Sequence, residues 1–429
     1  MKIRHKENQD SNTLYFIKIL SILVVFFPQF ISKVGLKLEQ FFSILLLFIC
    51  FLFFLKRKKI NIKCVYFAFI YIVLLAIDCV RSWNVFIVRD SFEFIKPILF
   101  LFFFSLGYSL KGDERDFYSY IVFFNKLFII VSILGILEAR IPFINYLFTF
   151  IYKENEPVLR NKAILSFINP YYFASLLLLP VFVNLIQFFV TKKKRFFLFF
   201  IIVFMCTVFT QSKTILLGFV LSFVIFLIIV IFNKWIIGRK SIIILSDLII
   251  LGVLLAFTFI ITYAEKNLRY MYEGFSKFFG AFSSRNLSTI IESSNSTLYR
   301  YNQLVFAIEK QDIIPLIGVG IGKKIVLLES FYAMYLYRTG LIGISLHFGL
   351  LYFLEKKSIC FSKIHMRNKS EKSLFLGAFY LAFSIFLISL LFSYFSSAVT
   401  DQTRVAFFFY LFLGYIFSLE RKSTTRLIQ

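Results

Sequence analysis

Two arginines and a glutamate in one polar interval are the residues of this chain best suited to chemistry. Arg300, Glu329 and Arg338 lie in the only long polar stretch, Tyr263 to Leu354, together with Asn302, Gly318, Gly320, Gly322, Ser330 and Tyr332. An arginine fork grips phosphate oxygens at two points, whereas lysine supplies a mobile point charge. A carboxylate such as Glu329 can orient or deprotonate a hydroxyl. Lys213, beside Ser212 in a short turn, and Arg404, at the head of the last apolar run, add two more cations. Each has a plainer alternative. The four cations also suit interfacial side chains reaching for water, or ion-pair partners of Glu309, Glu329 or Asp401. Glu329 also suits a helix cap or an ion pair.

Other reactive constellations do not assemble. The histidines are His5, His347 and His365, none of them in the polar stretches expected outside, so a Ser/His or His-metal centre there has no sequence support. Gly318-Val319-Gly320-Ile321-Gly322 makes a tight turn. It is not a dinucleotide fingerprint, because the third glycine is misplaced and no βαβ unit surrounds it. No phosphate-loop motif occurs, so neither a metal nor a nucleotide cofactor is expected. The sequons at Asn286 and Asn295 carry little weight, since such triplets arise by chance.

The elements that must position these residues are apolar. The chain has 429 residues, 59% of them hydrophobic, with 63 Phe and a mean hydropathy of +0.82. Its charges cluster between apolar runs of about 18–22 residues, each long enough to cross ~30 Å of hydrocarbon. This predicts an all-α polytopic membrane protein, residues 1–429 forming one integral membrane domain. A net charge of +25 first suggests nucleic acid. The basic residues instead concentrate in alternate loops, as in a membrane protein whose cytoplasmic loops are positive, and no nucleic-acid partner is expected. The cysteines (Cys50, Cys64, Cys79, Cys206, Cys360) form neither a disulfide framework nor a CxxC pair.

Roughly twelve spans satisfy the charge clusters, with both termini inside. They run at about Leu14–Ile31, Gln40–Leu55, Cys64–Val80, Phe94–Leu110, Tyr118–Leu137, from Pro170 to before Lys192, Phe196–Phe209, Ile215–Phe232, Ile242–Tyr263, Gly340–Leu354, Leu374–Phe395 and Val405–Leu419. The first is expected to stay in place, since it lacks a small-residue cleavage site. Asp247 is an intramembrane carboxylate, functional or helix-facing. Residues 264–339 form the long outer loop. It carries two short amphipathic stripes, Leu268 to Phe282 and Leu298, Tyr301, Val305, Ile308.

Several of these residues fall in an order that resembles the O-antigen polymerase and ligase superfamily of bacterial envelope glycan enzymes. Thr210-Gln211-Ser212-Lys213-Thr214 is similar to the family's Ser-Arg turn, with Lys for Arg. Arg300 to Gly322 is similar to the stretch carrying a functional Arg. Glu329-Ser330-Phe331-Tyr332 followed by Gly340-Leu341-Ile342-Gly343 resembles the ligases' His-Asn-x-Tyr…Gly-Leu-x-Gly, with Glu329 where ligases have His. Asn169-Pro170-Tyr171-Tyr172 looks like the family's Asn-Pro-x-Tyr.

The resemblance implies a glycosyltransferase in the bacterial cytoplasmic membrane that polymerises undecaprenyl-diphosphate-linked oligosaccharides on the outer face. The product would be O-antigen or capsule, and membrane lipid and a chain-length regulator protein would be further partners. Arg300 and Lys213 would stabilise the leaving diphosphate and Glu329 would act on the acceptor hydroxyl, with Ser212, Tyr332, Arg338 and Arg404 binding substrate. A ligase is the near alternative. A lipid-linked oligosaccharide exporter is the distant one, but it should show charges within its spans and repeated halves.

Overall fold

The computed structural model describes residues 2–27, 30–31, 36–37, 39–57, 80, 93, 95–110, 114–152, 162–167, 169–232, 295–309, 316–320, 328–368 and 370–426. Among these the chain is helical, apart from one short strand pair and a few connecting turns. Helix α1 (Lys2–Phe26) and α2 (Glu39–Arg57) are joined across β1 (Phe30–Ile31) and β2 (Leu36–Lys37), antiparallel with Phe30 opposite Lys37. Then follow α3 (Ile95–Ser109), α4 (Glu114–Arg140), α5 (Pro142–Tyr152), α6 (Pro170–Thr191), α7 (Lys194–Phe209) and α8 (Lys213–Phe232). The C-terminal half holds α9 (Asn295–Glu309), α10 (Phe331–Arg367), α11 (Glu371–Ser396), a 3-10 turn (Val399–Asp401) and α12 (Thr403–Arg426).

Three described helices, α4, α6 and α11, are long and apolar enough to cross a membrane, and five shorter apolar helices accompany them. Large apolar side chains also face outward, including Ile19, Phe48, Leu198, Val220 and Leu346. A helix apolar both inside and outside suits a lipid solvent, so these elements suggest a membrane protein. Helix α11 is central, packing against α10, α6 and α8, while α12 pairs with α3. The core between them is aromatic: Phe117, Phe124, Phe379 and Phe412 are all buried and in ring contact with one another. Small residues set the α3–α12 approach. A Cβ on Gly107 would stand 1.9 Å from the Leu411 carbonyl oxygen, and one on Gly414 2.0 Å from that of Phe104.

Most expected elements recur, with four corrections. Helix α1 starts at Lys2, so the polar N-terminal residues join the helix, and it ends at Phe26, not Ile31. The expected outer interval after α4 contains α5. The expected basic loop 355–372 is helical as far as Arg367, because nothing between Glu355 and Arg367 breaks the helix. On α9 the expected apolar stripe points the wrong way: Tyr301 and Ile308 are exposed, while Gln303 and Ala307 are buried. The expected span at Ile242–Tyr263 with Asp247, the stripe from Leu268 to Phe282, and all but the last residue of the span at Cys64–Val80 lie outside the described residues.

The break in α10 has a clear cause. Gly340 takes φ 63° and ψ −163°, a conformation closed to residues with a side chain, and it divides the helix into two rods. The carbonyls freed by the break are met by the glycine turn from outside: Val319 N donates to Tyr337 O at 2.6 Å and Gly320 N to Arg338 O at 3.1 Å. In exchange Ile342 N donates to Leu316 O at 3.1 Å. The turn and the kink interlock by pairing these backbone groups with one another.

Candidate functional site

The short turn between α11 and α12 ties the candidate residues together. Arg300, projecting from α9, donates through Nε to the Ser396 carbonyl at 2.8 Å and through a terminal nitrogen to Glu329 Oε2 at 3.1 Å. Ala398 N donates back to the Glu329 carbonyl at 3.1 Å. Ser397 Oγ donates to the Tyr172 hydroxyl at 2.9 Å, so the head of α6 closes the same cluster. The Arg300 side chain is 18% exposed and that of Glu329 39%, leaving the pair open to a ligand.

Gln303, one turn after Arg300, is buried and fixes the other side of this pair. Its side-chain oxygen accepts from the amides of Glu329 and Ser330, at 3.0 and 3.2 Å. Helix α10 is therefore capped at its N-terminus by a side chain from α9. Ser330 Oγ donates to the Tyr394 carbonyl at 3.2 Å. Beneath it Phe331 stacks between Tyr335 and Tyr394, and the Tyr394 hydroxyl bonds both His347 Nε2 and Thr400 Oγ1. This packing fixes the start of α10, and with it Glu329.

The remaining candidates lie in four separate places. Arg338 pairs with Glu93 at 3.2 Å, and Lys96 shares that carboxylate at 3.1 Å. Asp401 lies within reach of these charges and accepts from the Tyr335 hydroxyl at 2.9 Å. Burial pushes the Asp401 carboxyl above its ordinary value, against the pull of Lys96 and Arg338 and the Tyr335 bond, with Glu93 adding to the rise.

Ser212 ends the turn between α7 and α8 and Lys213 opens α8, its charge acting on Lys162. Here Ala163 N donates to the Phe209 carbonyl at 3.0 Å, and the Glu138 carboxylate accepts from the amides of Ile164 and Leu165, both at 2.8 Å. The Arg140 guanidinium lies over the Phe209 ring at 4.3 Å. Lys162 is 6% exposed. Its burial, and then the Lys213 charge, hold its ammonium below the usual lysine range.

Arg404 needs correction as a substrate contact, and Tyr332 lines a cavity of its own. Arg404 is 0% exposed. Its guanidinium donates to the carbonyls of Val24, Val25 and Phe27, at 2.6, 3.2 and 2.6 Å, and to Ser166 Oγ at 2.8 Å. It caps the C-terminus of α1, where helix carbonyls have no partner of their own, and so does not face a ligand. Tyr332 spends its hydroxyl on the Leu391 carbonyl at 2.7 Å. It lines a cavity of about 490 Å³ between α10 and α11, together with Tyr352, Glu355 and Leu387.

Gln303 and the serines of the α11–α12 turn were not among the sequence candidates. Gln303 had a usable signal, because a residue three positions after Arg300 shares its helix face. Ser396 acts through its backbone carbonyl, which no side-chain pattern reveals. Among the described residues no group of His, Cys, Asp and Glu is arranged to hold a metal ion. The chain matches no family model, and no curated protein or solved structure is significantly similar to it.

Proposed function

We propose that this chain is a polymerase of lipid-linked oligosaccharide repeat units, acting by glycosyl transfer on the outer face of a bacterial cytoplasmic membrane. The observation that supports this reading is the half-open Arg300–Glu329 pair at one end of an apolar helical bundle. Under it, about twelve spans place both termini in the cytoplasm and α9 with the head of α10 outside.

An undecaprenyl-diphosphate-linked donor would compete with Glu329 for the Arg300 fork, since a diphosphate offers the same bidentate geometry as a carboxylate. The freed carboxylate would then take the proton of the acceptor hydroxyl. The acceptor oxygen forms a bond to the donor's anomeric carbon as the bond to the diphosphate oxygen breaks. Arg300 meets the charge developing on the diphosphate, and Lys213 with Lys162 supplies positive charge at the α7–α8 turn.

The test is Arg300→Ala, read as the ladder of surface glycan lengths with protein level measured alongside. Loss of such a donor typically lowers rate by about 10²–10³, leaving single repeat units on the surface. Arg300→Lys should rescue poorly, because a point charge does not replace the fork. A full ladder from Arg300→Ala at normal protein level would remove this residue from the site and favour an exporter instead.

A further inference from the structure

The end of the bundle away from Arg300 carries a second cationic feature, and it has no part in the proposed transfer. Helix α11 runs from Glu371 to Ser396, about 39 Å at 1.5 Å per residue. Its Ser396 end meets Arg300, so its Glu371 end is remote from that pair. There, a cavity of about 460 Å³ opens between α4 and α11, lined by Arg115, Tyr118, Ser119, Val122 and Lys372. Arg115 and Lys372 put two cations on one small cavity, while Tyr118 and Val122 give it an apolar side.

Lys18 of α1 donates to Ser119 Oγ at 2.9 Å, and the Lys372 ammonium lies 6.0 Å from the centre of the Tyr118 ring. Of the carboxylates at this end, Glu371 is held by Lys193 and Arg195, Asp116 acts on Lys18, and Glu114, beside Arg115, acts on His365, as Lys372 does. Both helices that form the cavity are long and apolar enough to cross a membrane, and the cavity sits at their ends. Basic pockets between spans on the cytoplasmic side are where anionic headgroups bind, and this end also bears Lys192, Lys193, Lys194 and Arg195.

We infer that the α4–α11 cavity binds the phosphate of an anionic phospholipid headgroup, gripped by Arg115 and Lys372 with Ser119 as a neutral contact. The acyl chains would then descend along the apolar side begun by Tyr118 and Val122. The ligand steadies the ends of two long helices and needs no chemistry at the Arg300 end, so the assignment stands whether or not the polymerase reading does.

The experiment uses the full chain in neutral detergent, stripped of native lipid. Thermal unfolding is followed while short-chain phosphatidylglycerol, short-chain phosphatidylcholine or inorganic phosphate is added. Phosphatidylglycerol should raise Tm saturably, and the other two should not. The double variant Arg115→Gln/Lys372→Gln should bind phosphatidylglycerol about thirtyfold more weakly, taking about 1 kcal/mol for each cation. Lys372→Gln alone, the milder change, should lose about fivefold. Lys192→Gln, at the same end but outside the cavity, should leave the response unchanged. An equal loss from Lys192→Gln would mean diffuse surface charge and overturn the site. An equal Tm rise with inorganic phosphate would overturn the lipid assignment in favour of a free-phosphate site.

Discussion

Arg300 and Arg404 approach the same turn between α11 and α12, and both suit phosphate by residue type. Their surroundings separate them. Among the described residues, Arg300 bonds the Ser396 carbonyl and a side-chain carboxylate that is 39% exposed. Arg404 is sealed, and its guanidinium is spread over three carbonyls and a serine hydroxyl while the rings of Phe42 and Phe167 lie 5.3 and 5.6 Å away. A carboxylate can be displaced by another anion with little rearrangement. Carbonyls at a helix end cannot leave without uncapping the helix. The comparison teaches that an arginine's role is set by whether its acceptors can be exchanged, and the residue type alone does not reveal that.

The sharpest way to break this contrast is Arg404→Ala. Removing the guanidinium strands the carbonyls of Val24, Val25 and Phe27 in a buried place, at about 1–3 kcal/mol for each group left unpaired. A total of at least about 3 kcal/mol is expected, seen as a large fall in Tm and in the yield of folded protein from detergent. Arg300→Ala should leave both close to normal. Two variants with the same stability would erase the distinction between scaffold and site.

The next largest effect concerns the platform that carries Glu329. Gly340→Ala forces a side chain into a backbone conformation with φ 63°, at about 1–3 kcal/mol. It also sets the new Cβ 2.3 Å from the Leu316 carbonyl oxygen, so the glycine turn must retreat. Tm should fall, and polymer should shorten more than the lost protein explains, because the kink also positions the Arg338–Glu93 pair. A Gly340→Ala protein with unchanged Tm would mean that α10 does not need the break.

How much of this could be read from the sequence follows the same division. Pro170 opening α6 was legible, because it is a local rule about what a residue does to its own backbone, whereas Lys213, expected in a turn, heads a helix, and Gly340, expected to open a span, breaks one instead. The pairing of Arg300 with Glu329 was among the alternatives, since opposite charges in one polar stretch tend to meet. The orientation of α9 was not legible. Its stripe of Leu298, Tyr301, Val305 and Ile308 is the more apolar face, yet the helix turns Arg300, Gln303 and Ala307 inward. The polar α10 N-terminus and the Ser396 carbonyl need those side chains, and hydropathy periodicity does not register such a demand. Likewise no pattern links Arg404 to the end of α1, which lies 377–380 residues away along the chain.

The smallest predicted effect tests the charged group next to the site. Asp401 faces Tyr335, Lys96, Arg338 and Glu93, and burial holds its carboxyl above the ordinary value of 3.8. A raised carboxyl binds its proton more readily in the folded chain than in the unfolded one. In the window between 3.8 and the raised value the native state therefore carries more protons, and stability from this group increases as pH falls. That is opposite to a carboxylate held low by a cation, such as Glu371 beside Lys193, whose contribution is lost on acidification. Asp401→Asn removes the titration while keeping the shape, and it can retain an acceptor for the Tyr335 hydroxyl. The difference in Tm between Asp401→Asn and the parent chain should be largest at neutral pH, in favour of Asn, and should shrink as pH falls through the window. A difference that stays flat across pH would mean that Asp401 is already satisfied as a carboxylate by Lys96 and Arg338. The Arg338 cluster would then be an ordinary ion-pair network, less distinct from the Arg300 pair than its burial implies.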